Sequence, residues 1–341
     1  MKSLPNRGLQ GQRLPGKMPH KKHWSKSTSQ IVVAFACLIG TGMFLIGNAG
    51  KLKYKISTAF STESTPFLQR DLNQIAADIS VKILDRDFLG SGFIVRQQGD
   101  RYEIVTNQHV LRAGEEPYNI QTADGKIYKA KVIEQRMQDK REYDLAALEF
   151  TSDKDYTVAT IGSSLYLEVG EPIFAVGFPY SQLDAELPTS DVAGVSGLAI
   201  KTGRIAIVLN KALVEGYQIG YTNDVKKGMS GGALLNTRGE VVGVNGKHAY
   251  PLWESPELYQ DGSQPCPALE KLITRSSLAI PIEKTIELNP ALKSLQPKSN
   301  VDLSRKSNLG TKDPQLVAKM QAEAEAVTQD CQDYNNYSID K

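Results

Sequence analysis

Gly228-Met229-Ser230-Gly231-Gly232-Ala233-Leu234-Leu235 sets one serine among three glycines and runs straight into an apolar strand. Glycines on both sides let the backbone turn tightly and leave the hydroxyl and nearby N–H groups facing outward. A Ser-Gly-Gly stretch by itself is commonly just a loop. The strand Ala233–Leu235 directly behind it points instead to a positioned loop, in which the N–H groups of Gly228 and Ser230 form a candidate oxyanion hole. A serine hydroxyl is a poor nucleophile at neutral pH unless a base takes its proton. Ser230 therefore needs an imidazole.

The chain has four histidines, of which His20 and His23 lie in the basic N-terminal arm. His109, in Thr106-Asn107-Gln108-His109-Val110-Leu111, follows an apolar strand, where a scaffold fixes a side chain and leaves it accessible. His248 lies in the polar loop Gly246-Lys247-His248-Ala249 with nothing evident to orient it. Asp144 opens the apolar run Leu145-Ala146-Ala147-Leu148. A carboxylate entering a core needs hydrogen-bond partners, and an imidazole Nδ1–H is a suitable one. Asp139, the competing acid, sits in the charged stretch Asp139–Glu142. The order His109, Asp144, Ser230, with separations of 35 and 86 residues, gives a base, its orienting acid and a nucleophile.

Around these residues, short strand-like runs dominate: Ile79–Leu84, Gly90–Val95, Tyr102–Thr106, Lys129–Glu134 and Leu145–Phe150, then Pro172–Gly177, Leu198–Leu209, Tyr217–Asn223, Gly232–Leu235, Glu240–Asn245 and Leu278–Ile282. Turn signals such as Gly99-Asp100, Asp124-Gly125 and Arg238-Gly239 separate them. Many short strands without long helices between them favour an all-β barrel or sandwich over an α/β fold. The eleven runs fall into two groups with a boundary near Thr151–Gly170.

With these elements in this order the chain resembles the trypsin-like (chymotrypsin-fold) serine proteases, and within them the bacterial Deg/high-temperature-requirement branch. The resemblance rests on Gly90-Ser91-Gly92-Phe93-Ile94-Val95, Thr106–Val110, Asp144–Leu148, Gly228–Gly232 and Leu278-Ala279-Ile280-Pro281-Ile282, and covers about residues 78–292. It implies two six-stranded antiparallel β-barrels, about 78–160 and 165–292, with the active site between them. It also implies His109 as general base, Asp144 as its orienter, Ser230 as nucleophile and the Gly228 and Ser230 N–H groups as oxyanion hole. Substrates would be proteins or peptides, with no cofactor and no metal. The 49 residues after Leu292 are fewer than a PDZ module needs. Met229 stands where many secreted trypsins carry the aspartate that pairs with a new N-terminus, so activation by that route is not expected. Asp224, six residues before Ser230, matches the trypsin acid at the base of the specificity pocket, provided the loop keeps the trypsin length. Otherwise it is a loop acid hydrogen-bonded to local backbone.

The flanks add a location. Met1–Gln30 holds seven Lys/Arg and no acid, whereas the rest of the chain holds 33 basic and 38 acidic residues. Ile31–Gly47 is a charge-free apolar run of 17 residues, long enough to span a bilayer. Basic flanks stay cytoplasmic, so residues 1–30 are expected as a cytoplasmic arm and 31–49 as a transmembrane signal-anchor. Gly47-Asn48-Ala49 also offers a cleavage site that would make the chain secreted. Residues 50–77 read as a stem with a short helix from Pro66. Residues 293–341 read as a polar linker and a helix Gln315–Asp330 capped by Asp313-Pro314, with Leu316, Met320, Ala324 and Val327 on one face. Cys37 falls in the apolar run; Cys266 and Cys331, both outside the membrane, could pair. A basic patch on the folded part would mark a nucleic-acid binder, and the net acidity there argues against one. An α/β-hydrolase esterase would order its residues Ser, Asp, His. The alternative from another class is a non-catalytic binding or chaperone-like protein on the same fold, against which the intact set of three residues stands.

Overall fold

A computed structural model describes residues 65–85, 88–133, 142–180, 197–250, 257–295 and 313–339. The expected arm, the expected signal-anchor 31–49, most of the stem, Asp139 and most of the polar linker lie outside the described residues. Among those described, no helix is long and apolar enough to cross a membrane.

After the helix α1 (Thr65–Ile79), six strands close the first barrel: β1 (Ser80–Leu84), β2 (Phe88–Gln98), β3 (Arg101–Thr106), β4 (Tyr118–Gln121), β5 (Ile127–Val132) and β6 (Ala146–Thr151). The short helix α2 (Gln108–Leu111) leaves the end of β3. Six more close the second: β7 (Pro172–Gly177), β8 (Ala199–Val208), β9 (Ile219–Tyr221), β10 (Ala233–Leu235), β11 (Val241–Lys247) and β12 (Ser277–Pro281). The orders are β1-β2-β3-β6-β5-β4 and β10-β11-β12-β9-β8-β7, each a closed barrel with antiparallel pairs throughout. Closure leaves no free edge for pairing with another chain. The strand absent from the sequence reading is β4, in which Tyr118 and Ile120 alone face the core. Tyr217 precedes β9 rather than starting it, because a single 3₁₀ turn, Val214–Gly216, occupies that point.

Side-chain alternation divides each strand between two cores. Val81, Ile83, Ile94, Ile104 and Leu148 fill the first barrel, and Ile173, Ile205, Ile219, Leu234 and Val242 fill the second. Their neighbours Phe93, Val95, Val105, Phe174, Val176, Ala233 and Val244 belong to a further buried cluster shared by strands of both barrels. Strands buried on both faces read as continuous apolar runs, which is why the pattern was visible. At roughly 1.5–3 kcal/mol for each large side chain removed from water, this shared layer holds the barrels against each other.

The helices α3 (Pro267–Thr274) and α4 (Ile282–Leu288) flank β12. The terminal helix α5 (Pro314–Ile339) is longer than its sequence pattern implied. The Asp313 carboxylate accepts from the N–H groups of Gln315 and Leu316, both at 3.1 Å, as an N-cap does. Leu316, Met320 and Ala324 turn toward Leu272 of α3 and Ala206 of β8. A Cys266–Cys331 disulfide, with Cα atoms 5.4 Å apart, ties α5 to the start of α3.

Candidate active site

β3 and β6 are paired to their ends, with Thr106 opposite Ala146. The residues just beyond that last pair, on α2 and before β6, therefore lie side by side. His109 Nδ1 is 2.5 Å from Asp144 Oδ2, and the His109 backbone N–H donates to Oδ1 at 2.8 Å. Asn107 donates its side-chain amide to the Asp144 carbonyl at 2.7 Å. Asp144 is 1% exposed. Burial alone would raise its carboxyl, but hydrogen bonds and charge from His109, with a hydrogen bond from Tyr217, outweigh it and hold the pKa below the usual value. The carboxylate is therefore ionised at neutral pH. The His109 side chain is 39% exposed, so its ring remains reachable. His248 sits in the exposed loop after β11, its Nδ1 3.0 Å from the Ala249 carbonyl.

Ser230 comes from the other barrel, in the loop between β9 and β10. Met229 is fully buried and packs in the second barrel's core. Its N–H donates to Lys226 O at 3.0 Å. Among the described residues, the N–H groups on either side of it, those of Gly228 and Ser230, have no hydrogen-bond partner. Both donors are therefore available to an incoming acceptor. Gly231 has φ 84°, and a Cβ there would lie 2.2 Å from both Ser91 O and Thr106 Oγ1. Only glycine allows the loop to press so closely on β2 and β3, one step from His109. The Ser230 hydroxyl donates to Gly246 O at 2.9 Å and makes no hydrogen bond to His109.

Two residues to which the sequence assigned no site role organise this loop. Ser91, fully buried on β2, donates its N–H to Ser230 O at 2.9 Å and its hydroxyl to Gly228 O at 2.7 Å. It also accepts from the Phe178 N–H at 2.8 Å. Asn245 on β11 gives its amide to Val176 O and Ala233 O, both at 3.0 Å, while its backbone carbonyl accepts from Gly231 N–H at 2.8 Å. The signal for each was a polar residue in a buried strand, Gly90-Ser91-Gly92 and Val244-Asn245-Gly246, of the kind that must find partners.

Asp224 stands apart. Its side chain is 69% exposed and its carboxylate lies 2.7 Å from Lys226 Nζ. A charge at the base of a closed pocket would be buried; this one is solvated and already paired. Among the described residues, no group of three or more His, Cys, Asp or Glu side chains is placed to hold a metal ion.

Residues 90–244 match the family model of the trypsin-like peptidase domain. The chain is 32% identical over 157 residues to a serine protease Do-like HtrA of Lactococcus lactis, a stretch covering 46% of this chain and 36% of that protein. It is 33% identical over 160 residues to a probable periplasmic serine endoprotease DegP-like of Buchnera aphidicola, covering 46% and 29%. To a serine protease Do-like HtrB of Bacillus subtilis it is 30% identical over 159 residues, covering 46% and 32%. The chain thus spans only about a third of the length of the curated relatives it matches. The matched stretch contains the paired His109 and Asp144 and the Ser230 loop, and over residues 90–244 the chain is similar to trypsin-like peptidase domains, with Do-like and DegP-like serine proteases among its relatives.

Proposed function

We propose that this chain is a serine endopeptidase acting on extracytoplasmic proteins through His109, Asp144 and Ser230. The observation that carries the reading is the buried Asp144 bonded to Nδ1 of a reachable His109. A carboxylate there keeps the proton on Nδ1 and the Nε2 lone pair free to receive one. The Ser230 hydroxyl, now on Gly246 O, changes rotamer to donate to Nε2 and attacks the substrate carbonyl carbon. The Gly228 and Ser230 N–H groups receive the oxyanion, the imidazolium protonates the leaving amine, and water releases the acyl group by the reverse path. Asp224 has no part in these steps.

Two observations support the location. The disulfide Cys266–Cys331 persists in oxidising compartments and not in the cytosol. The basic arm 1–30 and apolar run 31–47 give an anchor that leaves the barrels outside. Alkaline washing should leave the full chain in the membrane pellet, and release into the supernatant would exclude the anchor.

The deciding experiment is labelling with a fluorophosphonate, together with hydrolysis of an unfolded protein, for the parent and for Ser230→Ala. The parent labels and cuts; the alanine variant does neither while keeping its melting temperature. A parent that folds but does not label would favour the non-catalytic binding protein. An alanine variant that cuts as fast as the parent would remove Ser230 as nucleophile.

A further inference from the structure

The turn Val214–Gly216 reaches from the second barrel to the acid of the first. Glu215 adopts φ 65° and Gly216 φ 90°, two consecutive residues in the left-handed region. For a glutamate this conformation is costly and persists only where its surroundings impose it. Here the Glu215 carbonyl accepts the Asp144 backbone N–H at 2.9 Å. Gly216 lies flat on Tyr143, where a Cβ would come within 2.5 Å of the ring. The next residue, Tyr217, is fully buried and donates its hydroxyl to Asp144 Oδ2 at 2.6 Å. That is the same oxygen His109 Nδ1 uses.

Tyr217 is itself held in place. A Cβ on Gly246 would fall 2.2 Å from its hydroxyl oxygen, so the ring end fits only because that residue is glycine. Lys247 Nζ lies 4.9 Å from the ring centroid and is paired with Glu257 at 2.8 Å. Burial, then the Asp144 charge, raises the Tyr217 pKa well above the ordinary value, so it stays a donor at every working pH. Gly246 also accepts the Ser230 hydroxyl. One glycine therefore meets both the tyrosine that touches the acid and the serine that carries the nucleophile.

We propose that Tyr217 is a positioning residue: its hydroxyl fixes the carboxylate of Asp144, and through it the ring of His109. The idea rests on the hydrolase reading above, in which His109 is the base. A carboxylate with three donors around it has one orientation; without the tyrosine, Oδ2 is held by the imidazole alone and the pair can swing together. The tyrosine also shares the negative charge on Oδ2, so its removal leaves that oxygen a stronger acceptor for Nδ1–H.

The test is Tyr217→Phe in the full chain, which keeps the ring and deletes only the hydroxyl. Tyr221→Phe is its control. Tyr221 is equally buried, but its hydroxyl donates to Asn245 Oδ1 at 2.9 Å and not to the acid. The readout is the low-field Nδ1–H proton resonance of His109 by NMR, with kcat and KM measured separately. In Tyr217→Phe the resonance should move further downfield and kcat should fall about tenfold, as expected for losing a hydrogen bond to a charged group, with KM unchanged. In Tyr221→Phe the resonance should stay in place, whatever the loss of stability. A His109 resonance unmoved in Tyr217→Phe, or moved equally in both variants, overturns the proposal. The resonance is also read in Ser230→Ala, so its outcome is independent of whether the chain proves to be a hydrolase.

Discussion

Gly231→Ala probes the contact that brings the two halves of the site together. The added Cβ would lie 2.2 Å from Ser91 O, 2.2 Å from Thr106 Oγ1 and 3.0 Å from Asn107 N. Two of these are backbone atoms of strands β2 and β3 or their immediate extension, so neither can rotate away. A carbon needs more than 3 Å from an oxygen, and the loop must therefore retreat by about 1 Å, a misplacement that costs on the order of 10²-fold in rate. The left-handed φ of 84° adds about 1–2 kcal/mol for any residue with a Cβ. The overpacking adds about 1–3 kcal/mol, giving a loss of roughly 2–5 kcal/mol in stability. Gly99→Ala isolates the backbone part, since Gly99 has φ 65° and nothing within 4 Å of its would-be Cβ. Urea unfolding should show Gly231→Ala less stable than Gly99→Ala, and peptide hydrolysis should fall about 100-fold only in the former. If the two variants are equally stable and equally active, the loop does not depend on this contact.

Two further outcomes follow from single contacts. In Asp144→Asn, the amide nitrogen replaces Oδ2 and faces two donors, His109 Nδ1 and the Tyr217 hydroxyl. The imidazole then places its proton on Nε2, and turnover should drop by about 10⁴; unchanged turnover would mean another acid orients His109. For the disulfide, which spans 65 residues, the chain-entropy model gives a loss of at most about 4 kcal/mol in Cys331→Ser. Alkylation of cells at lysis should find both thiols protected, and finding them free would contradict the extracytoplasmic placement.

The barrels were legible because most of their strands are buried on both faces. Residues that must be apolar on each side, such as Phe93-Ile94-Val95 and Val241-Val242, leave an unbroken signature, and the turn residues between them mark each reversal. β4 was not legible, since Tyr118 and Ile120 alone face the core and two apolar positions make no period. The left-handed turn at Glu215 was invisible for a different reason. The Gly216 N–H closes the turn on Leu213 O, but a glutamate at its third position carries no sign of a left-handed conformation, and the Asp144 N–H that meets its carbonyl lies some 70 residues earlier in the chain.

The same division runs through the site. His109, Asp144 and Ser230 stand out in the sequence as candidates because each sits at a strand end or in a glycine loop, where local sequence already restricts what a polar side chain can do. Ser91, Asn245 and Tyr217 act across long separations, and each satisfies a backbone or side-chain group that the others leave exposed to the core. Ser91 answers the carbonyls of Gly228 and Ser230, Asn245 those of Val176 and Ala233, and Tyr217 the second acceptor position of Asp144 Oδ2. Ser91 and Tyr217 cross from one barrel to the other, whereas Asn245 braces the Ser230 loop within the second barrel. Such contacts are selected by the geometry of the closed barrels, which no pattern within a single strand records.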